Sequence, residues 1–182
     1  MQKTITLITG MPGTGKTTII MRVTAALEAQ GIKVGGMTTK EQRKDEARVG
    51  FLIEDIATNK QGWLAHVNQQ NGPRVGKYRV NLSDLEGIGA KAIQEATKTA
   101  DAIAIDEIGP MELHSQAFRE AVQEAIYSGK PVIATIHYKT TDPFVKAIKA
   151  RPDAELIEVT LQNRDNLHNL IIDKLTRILQ GG

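Results

Sequence analysis

Cysteine is absent from the 182 residues of this chain. Its absence excludes a disulfide scaffold, a thiolate zinc site and a cysteine nucleophile. It also fits a reducing compartment, so a cytoplasmic location is expected. Aromatic residues make up only 4% of the chain, little material for a nucleic-acid reader that works by stacking bases. An excess of one charge is lacking too. The 23 Lys+Arg and 21 Asp+Glu leave a formal net charge of +2, which argues against a protein that coats nucleic acid. Long apolar runs are missing as well. The longest, such as Ala102–Ile105, fall far short of the roughly 18 residues that suggest a membrane span. Met1-Gln2-Lys3 leads at once into a strand-like Thr4–Thr9, so neither a membrane anchor nor a signal peptide is expected.

What is present is ordinary for a globular chain: 41% hydrophobic and 24% charged residues. The length argues for one domain over residues 1–182, large enough to bury roughly two-thirds of the surface of its unfolded chain. Four short runs, Ile5–Ile8, Ala102–Ile105, Val132–Ile136 and Leu156–Val159, are rich in Ile and Val and nearly continuous in hydrophobicity. That pattern predicts strands covered on both faces, as in a parallel sheet.

Helical stretches separate the runs. Thr17–Gln30 stops at Gly31, Ser83-Asp84-Leu85-Glu86 has capping-box spacing before a helix toward Thr97, and Ser115 opens a third helix that ends at Gly129-Lys130-Pro131. Asp142-Pro143 caps a short helix, and Leu167, Leu170, Ile171, Leu175 and Ile178 stripe the last one. This alternation predicts a three-layer α/β domain with a mostly parallel central sheet. The middle differs: Val49–Ile56 and Gly62–Val67 flank Thr58-Asn59-Lys60-Gln61 and read as an antiparallel hairpin, with Gln69–Lys77 as loop. Residues 35–80 are therefore expected to form a hairpin-containing insertion at one edge of the parallel core.

The chemistry is concentrated in two places. Gly10-Met11-Pro12-Gly13-Thr14-Gly15-Lys16-Thr17 fits the phosphate-binding loop pattern GxxxxGK[ST], between a buried strand and a helix. Glycine lets successive amide N–H groups turn inward toward phosphate oxygens. The Lys16 charge faces the β- and γ-phosphates, the Thr17 hydroxyl can ligate Mg²⁺, and the helix opened by Thr17 and Thr18 aims its positive end at the same anion. The second place is Asp106-Glu107, at the end of the run Ala102–Ile105. In a parallel sheet ligands sit beyond the carboxyl ends of strands. Asp106 is then placed for the Mg²⁺ shell and Glu107 for orienting an attacking water. A small-molecule kinase needs no water activator, so the pair tilts the reading toward hydrolysis.

Other positions are more open. His137, which ends Ile133–Ile136, either contacts the γ-phosphate or is a rim histidine. Arg43, Lys44 and Arg48 can stabilise a transferring phosphoryl group or belong to a solvated loop. Arg164, within Asn163-Arg164-Asp165, can reach the base or ribose, or the segment simply caps the last helix. Phe51 and Trp63 read as core before they read as a stacking platform.

Together with Gly10–Thr18, the segments Gly36–Arg43 (GMTTKEQR), Arg48–Phe51 (RVGF), Ile105–Leu113 (IDEIGPMEL), Val132–His137 (VIATIH) and Asn163–Asp165 resemble the small thermophilic nucleoside-triphosphatase family, called cancer-related nucleoside triphosphatase in animals. IDEIGPMEL is the specific mark. The resemblance covers nearly the whole chain. It implies a RecA-like P-loop domain that hydrolyses the terminal phosphate of ATP, GTP and other nucleoside triphosphates, slowly and with Mg²⁺. Gly10–Thr17 would hold phosphates, and Asp106 and Glu107 would serve metal and water. The chain has Pro110 where the family often has Lys, and Glu41-Gln42-Arg43 where it has Glu-Val-Arg. Three functions stand at this point: a nucleoside triphosphatase, a small-molecule or nucleotide kinase, and a nucleotide-gated binding module for RNA or protein. Nucleoside triphosphates are the expected partners, nucleic acid and membrane are not indicated, and a monomer is the expectation.

Overall fold

The computed structural model describes residues 3–181; residues 1, 2 and 182, included in the expected domain span, lie outside the described residues. Among the described residues nine strands form one mixed sheet: β1 (Ile5–Thr9), β2 (Val34–Lys44), β3 (Ala47–Asp55), β4 (Gln61–His66), β5 (Arg74–Val75), β6 (Tyr78–Val80), β7 (Ala102–Ile108), β8 (Val132–Ile136) and β9 (Ala154–Glu158). Their order across the sheet is β5-β6-β4-β3-β2-β7-β8-β1-β9. From β2 to β9 every neighbouring pair is parallel, and from β2 outward to β5 every pair is antiparallel. The helices are α1 (Lys16–Ala29), α2 (Leu82–Asp84), α3 (Lys91–Thr99), α4 (Gln116–Tyr127), α5 (Pro143–Lys149) and α6 (Arg164–Leu179), with a π-helical stretch Leu85–Ala90 joining α2 to α3.

The near-continuous hydrophobicity of β7 has a direct cause. Successive strand side chains point to opposite faces, and both faces are covered. Ile103 and Ile105 join a core with Phe118, Val122 and Ile93 from α4 and α3. Ala102 and Ala104 join a second core with Ile20, Val23 and Leu27 of α1 and Leu167, Ile171 and Leu175 of α6. The result is the expected three-layer α/β architecture, with the antiparallel strands extending one edge of the parallel half.

Five local expectations are corrected. A fifth parallel strand, β2, was not visible in the sequence because Gly35-Gly36 weakens the strand pattern. The glycine is required there: a Cβ on Gly36, at φ +116°, would fall 2.0 Å from the Ala104 carbonyl oxygen. The polar segment that carries Arg43, Lys44 and Arg48, for which a solvated loop was one alternative, continues β2 into an antiparallel hairpin with β3 that turns at Asp45 and Glu46. The Ser83 capping box is not used. Asn81 caps α2 by accepting the Asp84 N–H at 3.1 Å, and Glu86 instead accepts the Ser115 hydroxyl hydrogen bond at 3.0 Å. The β9 run is not covered on both faces, since this edge strand leaves Leu156 49% exposed. Gln69–Lys77 is mostly loop but contains the two-residue strand β5.

Because β1, β7 and β8 are parallel, their carboxyl ends share one rim of the sheet. The loop after β1, Asp106 and Glu107 near the end of β7, and His137 just after β8 all lie along it. β8 separates β1 from β7.

Candidate active site

The turn after β1 is built by backbone geometry. Gly13 and Gly15 have φ of 79° and 99°, the left-handed region that side chains disfavour. Thr14 closes the turn: its N–H and its hydroxyl both donate to the Met11 carbonyl, at 3.3 and 2.8 Å. Gly10 fits against the loop after β9, where a Cβ would approach the Val159 carbonyl oxygen to 2.7 Å. Met11, Pro12 and Gly13 stand exposed at the crown. The Lys16 ammonium donates to the carbonyls of Gly10 at 2.9 Å and Met11 at 3.2 Å, which holds it across the loop. Helix α1 begins at Lys16 with no side-chain cap and no acidic residue in its first turn. Its leading N–H groups, at Lys16, Thr17 and Thr18, have no intrahelical acceptor, so the helix end suits an anion by donor direction and dipole together.

Asp106 is 2% exposed, and the buried Thr135 hydroxyl donates to its Oδ1 at 2.6 Å. Thr135 follows from register: it is level with Ile8 of β1 on the strand between β1 and β7. The other Asp106 oxygen, Oδ2, is buried with no hydrogen-bond partner among the described residues. Burial pushes the carboxyl above its ordinary pKa, against the pull of Thr135, Thr17, the Lys16 charge and the Thr39 backbone N–H. An orphaned carboxylate oxygen beside a threonine hydroxyl fits a divalent cation that prefers oxygen ligands. Among the described residues no cluster of three or more His, Cys, Asp or Glu is placed to hold a metal. Thr17, whose side chain is near enough to Asp106 to lower its pKa, adds a second oxygen, and the pair fits the sparse protein set that Mg²⁺ uses when phosphates and water complete its shell.

Glu107 is half-buried next to Asp106. Burial and the Asp106 charge push its carboxyl up, and the Lys16 charge opposes them. A third acid escaped the sequence reading. Glu112 is 4% exposed in the 3-10 turn Glu112–His114. Burial, then the negative charges of Glu107 and Asp106, raise its carboxyl well above the ordinary range, against backbone N–H groups of Glu112 and Gly109. The available signal was an acid between two apolar residues in Met111-Glu112-Leu113. Thr135 left a similar trace, a hydroxyl inside the apolar run Val132–Ile136.

The buried Glu112 has a testable consequence for stability. In the unfolded chain it ionises in the ordinary carboxylate range, near pH 4.3; in the folded protein its proton is held to higher pH. The associated stability is full below that range and is lost as pH rises toward the folded value. Glu112→Gln cannot ionise. In thermal melts without nucleotide, the variant should gain on the parent as pH is raised from about 4 to 8. A constant difference across that range would mean that Glu112 ionises normally in the fold.

The remaining candidates are placed less centrally. His137 is half-buried beside a cleft of about 370 Å³ lined with Pro110, Leu113, Arg119, Lys139 and Asp142. Burial and the Lys16 charge lower its pKa, which favours a neutral imidazole. Arg164 opens α6 in the exposed segment after β9, with its Nε 3.9 Å from Asp165 Oδ1. Asn163 holds that segment by accepting the Thr160 N–H at 2.9 Å and donating to the Glu158 carbonyl at 2.9 Å. Arg43 and Arg48 are occupied on the hairpin. Arg43 donates to Glu41 at 2.6 Å and to the Glu46 carbonyl at 2.7 Å. Arg48 donates to the Tyr78 hydroxyl at 2.8 Å and packs over the Phe51 ring. Trp63 sits edge-on to His66, with ring centroids 4.5 Å apart, and is half-buried.

Comparison with known proteins adds to this geometry. The NTPase family model matches residues 5–172. Nucleoside-triphosphatase THEP1 of Thermofilum pendens is 48% identical over 162 residues, covering 88% of this chain and 89% of its own. The protein of the same name from Methanosarcina acetivorans is 46% identical over 173 residues, with 94% and 97% covered. Among solved structures, THEP1 from the hyperthermophile Aquifex aeolicus superposes with a TM-score of 0.81 at 34% identity, over 95% of this chain and 99% of that one. A human cancer-related nucleoside triphosphatase, solved in solution, gives 0.78 at 32% identity, over 92% and 95%.

Proposed function

The chain belongs to the NTPase family, and from that premise we propose that it is a Mg²⁺-dependent nucleoside triphosphatase that releases the terminal phosphate of ATP, GTP and other nucleoside triphosphates, with the attacking water oriented by Glu107. The observation that carries the reading is the pair at the end of β7. Asp106 has one buried oxygen without a partner, and half-buried Glu107 stands beside it under the influence of Lys16.

In this mechanism the amides of the Gly10–Gly15 turn and the first turn of α1 receive the phosphate oxygens, and Lys16 adds positive charge there. Thr17 and the free oxygen of Asp106 would hold Mg²⁺, which when bound offsets charge on the β- and γ-phosphates. Thr135 keeps Asp106 aimed by fixing its other oxygen. Glu107 accepts a hydrogen bond from a water and directs its lone pair at the γ-phosphorus. The new P–O bond forms as the bond to the β–γ bridging oxygen breaks, giving nucleoside diphosphate and inorganic phosphate. Backbone amides read phosphates and not bases, which supports a broad choice of base. Among the described residues no helix is long and apolar enough to cross a membrane, and the lack of cysteine supports a reducing, cytoplasmic setting. We place the chain there as one domain acting as a monomer.

Phosphate release from four nucleoside triphosphates and their diphosphates, with and without Mg²⁺, tests the proposal. Release from all four triphosphates only with the divalent ion is expected. Full activity in excess EDTA would overturn the metal role, and a thousandfold preference for one base would overturn the broad specificity.

A further inference from the structure

Gly109 is a buried residue between β7 and the turn Glu112–His114. A Cβ built on it would lie 2.4 Å from Glu107 Oε1, 2.9 Å from Glu107 Cγ and 3.0 Å from Glu107 Cδ. All three nearest atoms belong to one side chain. The glycine is not there for its backbone angle, because its φ lies outside the left-handed region. Gly129 is the opposite case: its φ is +77° and a Cβ there would meet nothing. Space, not conformation, is what Gly109 supplies.

The backbone under Glu107 is also pinned. The Gly109 carbonyl accepts the Leu113 N–H at 3.0 Å, and the Leu113 carbonyl accepts Arg119 Nε at 2.8 Å. The Glu112 carbonyl accepts the Ser115 N–H at 3.1 Å, and the Ser115 hydroxyl in turn accepts the Phe118 N–H at the start of α4. With the turn tied to α4, an added methyl group would have to be accommodated by Glu107.

We propose that Gly109 is a positioning residue: its missing side chain is the seat on which the Glu107 carboxylate rests, and it sets the direction from which that carboxylate meets the attacking water. The inference rests on the reading of Glu107 given above. It assigns to the glycine of Ile105–Leu113 a role in the rate of the chemical step rather than in the turn.

The test is a double-mutant cycle of Gly109→Ala with Glu107→Ala, read by single-turnover hydrolysis, nucleotide titration and thermal melting. A cycle isolates a pairwise effect because each single change removes one partner of the contact. Gly109→Ala alone should bind Mg²⁺–nucleotide within about twofold of the parent and lose on the order of a hundredfold in single-turnover rate, the scale expected for a small misplacement of a catalytic group. It should also melt a few degrees lower, as overpacking predicts. Added to Glu107→Ala, it should change neither rate nor melting temperature, because the group it displaces is gone. A parental rate in Gly109→Ala would overturn the inference. So would an equal further loss of rate or of melting temperature in the Glu107→Ala background, since the glycine would then serve the turn itself. A parental rate in Glu107→Ala alone is a different result: it would overturn the role given to Glu107, and the melting temperatures would still decide whether the seat exists.

Discussion

Glu107→Gln is expected to bind Mg²⁺–nucleotide as the parent does and to hydrolyse it on the order of a hundredfold more slowly or worse, the usual cost of losing a positioned acid–base group. The amide keeps the shape of the carboxylate and removes its charge. Binding should survive because the Gly10–Gly15 turn, Lys16, Thr17 and Asp106 remain. Asp106→Asn should behave differently and weaken both metal affinity and rate, since its buried, unpartnered oxygen is the one proposed for the cation. The pH profile gives a second reading of the same residue. In the proposed mechanism Glu107 works as an anion, and burial with the Asp106 charge raises its pKa. Activity should therefore fall as pH is lowered through a value above the ordinary carboxylate range. That acidic limb should vanish in the residual activity of Glu107→Gln. A variant that loses binding but keeps its single-turnover rate would make Glu107 a structural acid, and a transferase reading would regain ground.

Lys16→Ala should abolish measurable hydrolysis and weaken nucleotide binding. The ammonium bridges the carbonyls of Gly10 and Met11 across the loop, so its removal takes away the loop's only side-chain cation and two hydrogen bonds that draw the loop together. The charge also pulls against the raised pKa values of Asp106 and Glu107. Without it both acids should hold protons to higher pH, and any residual activity should shift its acidic limb upward. Nucleotide titration, phosphate release and a melt of the nucleotide-free protein check this together. Unchanged turnover in a folded Lys16→Ala protein would sink the assignment of the phosphate loop.

Much of the site is legible in the linear chain because its parts are local. A phosphate loop is eight consecutive positions whose glycines, lysine and threonine act through their own backbone and the helix they begin, so Gly10–Thr17 can be read without any partner. Asp106 and Glu107 need one further step, that parallel strands present their carboxyl ends together. The helix starts at Ser115 and Asp142 are equally local, and both side chains accept a backbone N–H, from Phe118 and Phe144. Ser83 failed as a cap because Asn81, two residues earlier, competes for the same helix start, and nothing in the local spacing ranks the two.

What escaped is non-local. β2 was hidden because the close approach that demands glycine at position 36 comes from Ala104, far along the chain. Arg43 and Arg48 look like free cations in sequence, and only the pairing of β2 with β3 and the nearness of Tyr78 show how they are occupied. By itself, then, the sequence determined the alternating α/β plan, the phosphate loop and the acidic pair, since each depends on periodicity or on contiguous residues. Only the tertiary structure decided that Thr135 holds Asp106, that Glu112 is a buried third acid and that Glu107 rests on Gly109. Those contacts depend on strand register, on burial from several elements at once and on the fold of a turn, and none of these is a property of neighbouring letters.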